Sequence, residues 1–79
     1  MKIDVKVATI LLSKADPPLP RSSFEFTMPD DSDVASLLDA LGLDRKLVGS
    51  VTVNKKRSPL SSKVAEGDHV AVIPAISGG

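Results

Sequence analysis

Apolar and polar residues alternate at the start of the chain. In residues 2–12, KIDVKVATILL, Ile3, Val5 and Val7 fall on one side and Lys2, Asp4 and Lys6 on the other. A period of two predicts a half-buried strand. From Ala8 the alternation gives way to a continuous apolar run, which predicts a strand end covered on both faces. Pro17, Pro18 and Pro20 then interrupt the chain; each fixes φ and removes a donor, so residues 13–23 read as an extended loop. Alternation returns in Ser23–Met28, with Phe24, Phe26 and Met28 on one face and Pro29 as the stop.

The period changes over residues 30–42, DDSDVASLLDALG. Val34, Leu37, Leu38 and Leu41 stand at i, i+3, i+4 and i+7, a single apolar stripe of an amphipathic helix. Asp31, Ser32 or Asp33 can cap its first free N–H groups, and Gly42 is its natural stop. Capping and the helix dipole account for the acidic cluster Asp30, Asp31 and Asp33 better than metal binding does. Residues 43–49 read as a connection, Val51–Asn54 as a short strand, and 54–57 (NKKR) as a polar turn. Residues 58–68 read as irregular, anchored by Leu60 and Val64 and closing in a tight turn at Glu66-Gly67-Asp68. The last strand, His69–Ile73, is almost wholly apolar, as a strand in the middle of a sheet would be. The order is strand, strand, helix, strand, irregular segment, strand, which predicts a two-layer α+β domain with one main helix across a mixed sheet.

Composition narrows the function. With 79 residues the chain is one domain, and it has no cysteine and one histidine, too few ligands for a structural zinc site. Ten basic residues balance ten acidic ones, so no global field draws it to nucleic acid or an anionic membrane. Two phenylalanines are the whole aromatic complement, which leaves little surface for stacking bases. No apolar run approaches the roughly 18 residues that span a bilayer. The opening MKIDVKV does not read as a signal peptide. A cytoplasmic protein without membrane attachment is the expectation.

Catalytic groups are sparse. His69 sits beside a turn with no nucleophile motif near it, and the glycines do not form a phosphate-binding loop. The Lys55-Lys56-Arg57 run reads as a solvated tip that could dock an acidic partner. The remaining candidate is the end itself. After the last strand come Pro74, Ala75, Ile76, Ser77, Gly78 and Gly79; the small end Ser77-Gly78-Gly79 reads either as a frayed terminus or as the carrier of a working terminal carboxylate.

The strand order, VTVNKK, and the closing EGDHVAVIPAISGG together resemble the ubiquitin-like sulfur carriers. These are the small subunit of molybdopterin synthase (MoaD) and the thiamine sulfur carrier (ThiS), with the ending VIPAISGG closer to the former. The resemblance spans the whole chain and implies a ubiquitin-like β-grasp fold, a mixed four- to five-stranded sheet on one main helix. It implies a single domain, 1–79, with 74–79 as a flexible tail. It further implies that Gly79 is adenylated with ATP on an activating enzyme and then converted to a thiocarboxylate. Gly78 would let the tail lie in a narrow channel, Ile76 and Ser77 would continue it, and Pro74 would stiffen its root. Such a chain is a carrier with no bound cofactor or metal. Its partners would be an adenylating enzyme, a sulfur donor protein, and a molybdopterin synthase large subunit or a thiazole synthase. The same ending also suits a protein modifier joined through Gly79 to a lysine, and the fold alone would suit a non-covalent binding module.

Overall fold

The computed structural model describes residues 1–15 and 18–75. Its elements in chain order are β1 (Lys2–Val7), α1 (Thr9–Leu12), β2 (Ser23–Thr27), α2 (Val34–Leu41), a 3-10 turn (Arg45–Leu47), β3 (Val48–Val53), β4 (Lys56–Ser58) and β5 (His69–Pro74). The five strands form one sheet in the order β2-β1-β5-β3-β4. β1 and β5 pair in parallel and every other pair is antiparallel. A parallel pair needs a crossover, and α2 lies within it. The fold is the α+β, ubiquitin-like β-grasp expected from the sequence.

Alternation on β1 is realised as read: Ile3, Val5 and Val7 are buried and Lys2, Asp4 and Lys6 exposed. The helical stripe Val34, Leu37, Leu38 and Leu41 is fully buried against them and against Val51, Val70 and Val72. The run after Ala8 departs from expectation. β1 ends at Val7, and Thr9–Leu12 coil into a short helix that buries Leu11 and leaves Ile10 exposed. A run of adjacent apolar residues has no strand period to enforce, so it turns to bury one side chain.

Three further boundaries move. The connection 43–49 contains the 3-10 turn and the start of β3, which begins at Val48. Lys56–Ser58, read as turn and irregular segment, form the edge strand β4. Asn54 and Lys55 take left-handed conformations (φ 53° and 69°) between them, the backbone of a two-residue type I′ hairpin. Asn54 holds this turn to the next one: its side-chain amide donates to Asp68 Oδ1 at 3.0 Å, its Oδ1 accepts from His69 N–H at 2.9 Å, and its own N–H donates to the His69 carbonyl. Replacing Asn54 by Ala removes both side-chain bonds and puts a less tolerant residue at positive φ, so the urea midpoint should fall by the equivalent of about 1 kcal/mol.

The irregular segment 58–68 closes the start of α2. The free N–H groups of Val34 and Ala35 donate to the carbonyls of Ser62 and Leu60, and that of Ser36 to Asp33 Oδ1 at 2.8 Å. Each orphan donor of the first turn thus has a partner. Among the three capping candidates Asp33 is the N-cap, while the Ser32 hydroxyl donates to the Pro29 carbonyl. Gly42, at φ 72°, ends the helix.

The Ser36 backbone N–H, and then its hydroxyl, hold the Asp33 carboxyl below its ordinary value of 3.8. The carboxylate's contribution to stability is therefore complete above the unfolded-state value and is lost as pH falls through the lower folded one. Asp33→Ala should melt below the wild type at pH 7, and the two melting temperatures should converge as the pH drops below 3.8. A gap that stays constant into strong acid would mean the carboxylate charge does not act at this cap.

Candidate functional site

The described chain ends where β5 leaves the middle of the sheet, and that exit is built by both neighbours. On one side Ala8 N–H donates to the Val72 carbonyl at 3.3 Å. On the other, Val48 pairs with Pro74 and Ser50 with Ile73, so β3 carries one extra residue, Gly49, in a bulge. Ala75 N–H then donates to the Leu47 carbonyl at 2.8 Å. Leu47 is set by the 3-10 turn, whose cap Asp44 accepts from Lys46 N–H through Oδ1 and from Leu47 N–H through its carbonyl.

Gly49 is the side-chain gap that permits this arrangement. A Cβ there would lie 2.7 Å from the Pro74 carbonyl oxygen and 2.9 Å from Ala75 Cα. Both are backbone atoms, so neither can swing aside. Its φ is not among the positive values of the structure. Contact, rather than backbone conformation, demands glycine here. The sequence carried a signal for this that sequence reasoning missed: a glycine in the β-branched run VGSVTV marks a bulge or a close backbone approach.

Pro74, placed by sequence at the root of the tail, is the last residue of β5, and Ala75 is tied to Leu47. Ile76, Ser77, Gly78 and Gly79 lie outside the described residues. Beside the exit the outer face of the sheet is apolar: Ile73 is 40% exposed and flanks a shallow depression with Ala71, Ala8 and Pro74, edged by Lys6.

His69 stands at the other end of β5, about 17 Å from Pro74 along a strand of this length. Its Nδ1 lies 3.2 Å from Asp4 Oδ2, and both side chains are more than half exposed. This is a contact between two surface side chains, and among the described residues no nucleophile is joined to it. Among the described residues no group of three His, Asp or Glu side chains is placed to hold a metal, and no helix is long and apolar enough to cross a membrane. Within the described residues the site is an anchored strand end, held by Ala8, Leu47 and Gly49.

The profile of the ThiS family matches residues 15–79. Among curated proteins none matches the sequence. Among solved structures, SAMP1 from Haloferax volcanii is 24% identical with a TM-score of 0.73, each chain covered in full; it is the small archaeal modifier protein 1. A Pyrococcus furiosus protein ascribed to subunit 1 of molybdopterin converting factor is 18% identical with a TM-score of 0.70, over 96% of this chain and 99% of that one. A chain from the Helicobacter pylori complex of subunits 1 and 2 of molybdopterin-converting factor is 21% identical with a TM-score of 0.61, again over both full lengths. At these identities the likeness establishes the fold.

Proposed function

The chain belongs to the ThiS family of ubiquitin-like sulfur carriers and modifiers, and from that membership we propose that Gly79 is the site of a sulfur-carrying thiocarboxylate used in molybdopterin biosynthesis. The observation that carries the reading is the anchored exit: β5 ends between β1 and β3, fixed at Ala75 by the Leu47 carbonyl and by the Gly49 contact. Gly79 is four residues past Ala75, a reach of at most about 14 Å. A partner's active site that receives Gly79 must then close on the face around Ile73 and Pro74.

The steps follow from carboxylate chemistry. An oxygen of the Gly79 carboxylate attacks the α-phosphorus of ATP on an activating enzyme, and pyrophosphate leaves. Sulfur at the sulfide level, supplied by a donor protein, attacks the acyl carbon and displaces AMP. The chain contributes the carboxylate and the shape of the approach, while the partner holds ATP and performs the catalysis. Gly78 lacks a Cβ, which suits a narrow channel, and Ile76 and Ser77 supply backbone donors and acceptors along it. The receiving protein is the large subunit of molybdopterin synthase, in the cytoplasm. The Pyrococcus and Helicobacter likenesses support that acceptor.

Intact-mass measurement on protein from its native host tests the reading. A gain equal to the exchange of one oxygen for sulfur is expected, lost on incubation with the large subunit together with the molybdopterin precursor that accepts the sulfur. Transfer to a thiazole synthase instead would redirect the pathway to thiamine. The likeness to a small archaeal modifier favours one second reading, conjugation through Gly79 to a lysine; Gly-Gly remnants on host lysines would establish it.

A further inference from the structure

Charge is unevenly placed along a chain whose net is zero. Residues 44–57 hold five basic residues and one acid, a net of +4, and the rest hold five basic residues and nine acids, a net of −4. The fold gathers the basic stretch on one side of the molecule, as the 3-10 turn, β3 and the edge strand β4. Arg45 Nη2 pairs with Asp39 Oδ2 at 3.1 Å. Among the described residues Lys46, Lys55, Lys56 and Arg57 are in no ion pair.

A groove runs into this side between α2 and the β3–β4 edge. Leu38 forms its apolar floor, Arg45 and Arg57 line it, and Leu60, 38% exposed, offers it an aliphatic side chain. Gly49 lines it as well, so the groove abuts the contact of Gly49 with Pro74 and Ala75. Backbone groups are also open along it. The type I′ turn makes Val53 and Lys56 a hydrogen-bonded pair, and the alternation of an antiparallel ladder then turns the N–H and C=O of Arg57 away from β3.

We propose that this groove and the basic strip along β4 receive an acidic segment, carboxylates flanking an aliphatic side chain, on the protein that activates the tail. The proposal rests on the tail reading above for the identity of that protein. Charge complementarity selects the carboxylates, the exposed Leu60 selects the aliphatic group, and continuity with the strand exit selects the protein that handles the tail. The low aromatic content argues against a nucleic acid in the same place.

Two measurements decide it. In the first, the isotope-labelled full chain is titrated with the capped peptide Glu-Glu-Leu-Glu-Glu. Backbone shifts should concentrate at Arg45, Gly49, Arg57 and Leu60, and affinity should fall about tenfold between roughly 0.02 and 0.5 M salt. The peptide Lys-Lys-Leu-Lys-Lys should produce none of these shifts, and Arg45→Glu with Arg57→Glu should abolish them. Equal shifts at Lys2, Lys14 and Lys63, or tighter binding of a single-stranded oligonucleotide of equal charge, would overturn the proposal.

In the second, adenylation by the host's activating enzyme is followed for wild type, Arg57→Glu and the milder Arg57→Gln. Arg57→Glu should raise KM about tenfold with kcat retained, through loss of electrostatic attraction. Wild-type turnover with an unchanged KM in Arg57→Glu would sink this inference alone. A wild type that is never adenylated would sink the tail reading instead, and the peptide titration would then decide the groove by itself.

Discussion

A chain shortened by Gly78 and Gly79 should acquire neither an adenylate nor a thiocarboxylate, and should unfold at the temperature of the full chain. The loss is expected to be complete, because the carboxyl group moves back two residues. Two residues are up to about 7 Å of an extended chain, far more than the few tenths of an ångström over which an attacking oxygen can be misplaced and still react. Stability should hold because the apolar core ends at Val72 and the last anchoring bond, Ala75 to Leu47, is retained. Residues outside the core contribute little to folding. Intact mass after incubation with the activating enzyme, ATP and a sulfur source reads the first half, and a thermal melt the second. A shortened chain that still gains the sulfur mass would refute Gly79 as the site. Retention of the cellular function by the shortened chain would point to a passive binding module.

The parts of the fold legible in sequence are those whose local pattern and tertiary role agree. β1 and α2 each carry a period that the core then uses, the apolar run of β5 is the expected central strand though Ile73 stays exposed, and Asp33 and Gly42 bound the helix at its two ends as expected. β4 was illegible for a physical reason. Three residues, two of them charged, carry no alternation, and the turn before it uses Asn54-Lys55 where glycine would have signalled a hairpin. Its charges are those that blunt an edge strand. Segment 58–68 looked irregular because its work is done by carbonyls: Leu60 and Ser62 accept from the first donors of α2, and a carbonyl leaves no trace in side-chain pattern. The site divides the same way. Residue types alone carry the reading of the chain's end, whose residues 76–79 lie outside the described ones, whereas the bulge and the Leu47 carbonyl that hold Pro74 and Ala75 depend on segments distant in sequence meeting.

Gly49 tests whether that aim matters. Valine suits an exposed strand position by propensity, so Gly49→Val would be mild if local preference decided the outcome. Contact geometry predicts otherwise. The new Cβ would start 2.7 Å from one backbone atom and 2.9 Å from another, and relief requires β3 and the end of β5 to part. Overpacking of this kind costs about 1–3 kcal/mol. The separation should first break the Ala75–Leu47 bond, since the Val51–Val72 and Val53–Val70 pairs lie deeper in the sheet. Hydrogen exchange at Ala75 should therefore accelerate while Val70 and Val72 remain protected. Adenylation should fall by about tenfold or more, as expected when a reacting group is displaced by roughly an ångström. Thr52→Val, on the same strand and away from the exit, supplies the control and should leave both readouts near wild type. If Gly49→Val slowed adenylation without altering Ala75 exchange, the residue would be acting through the partner's surface. If it altered neither, the close approach of β3 to the end of β5 would not be what directs the tail.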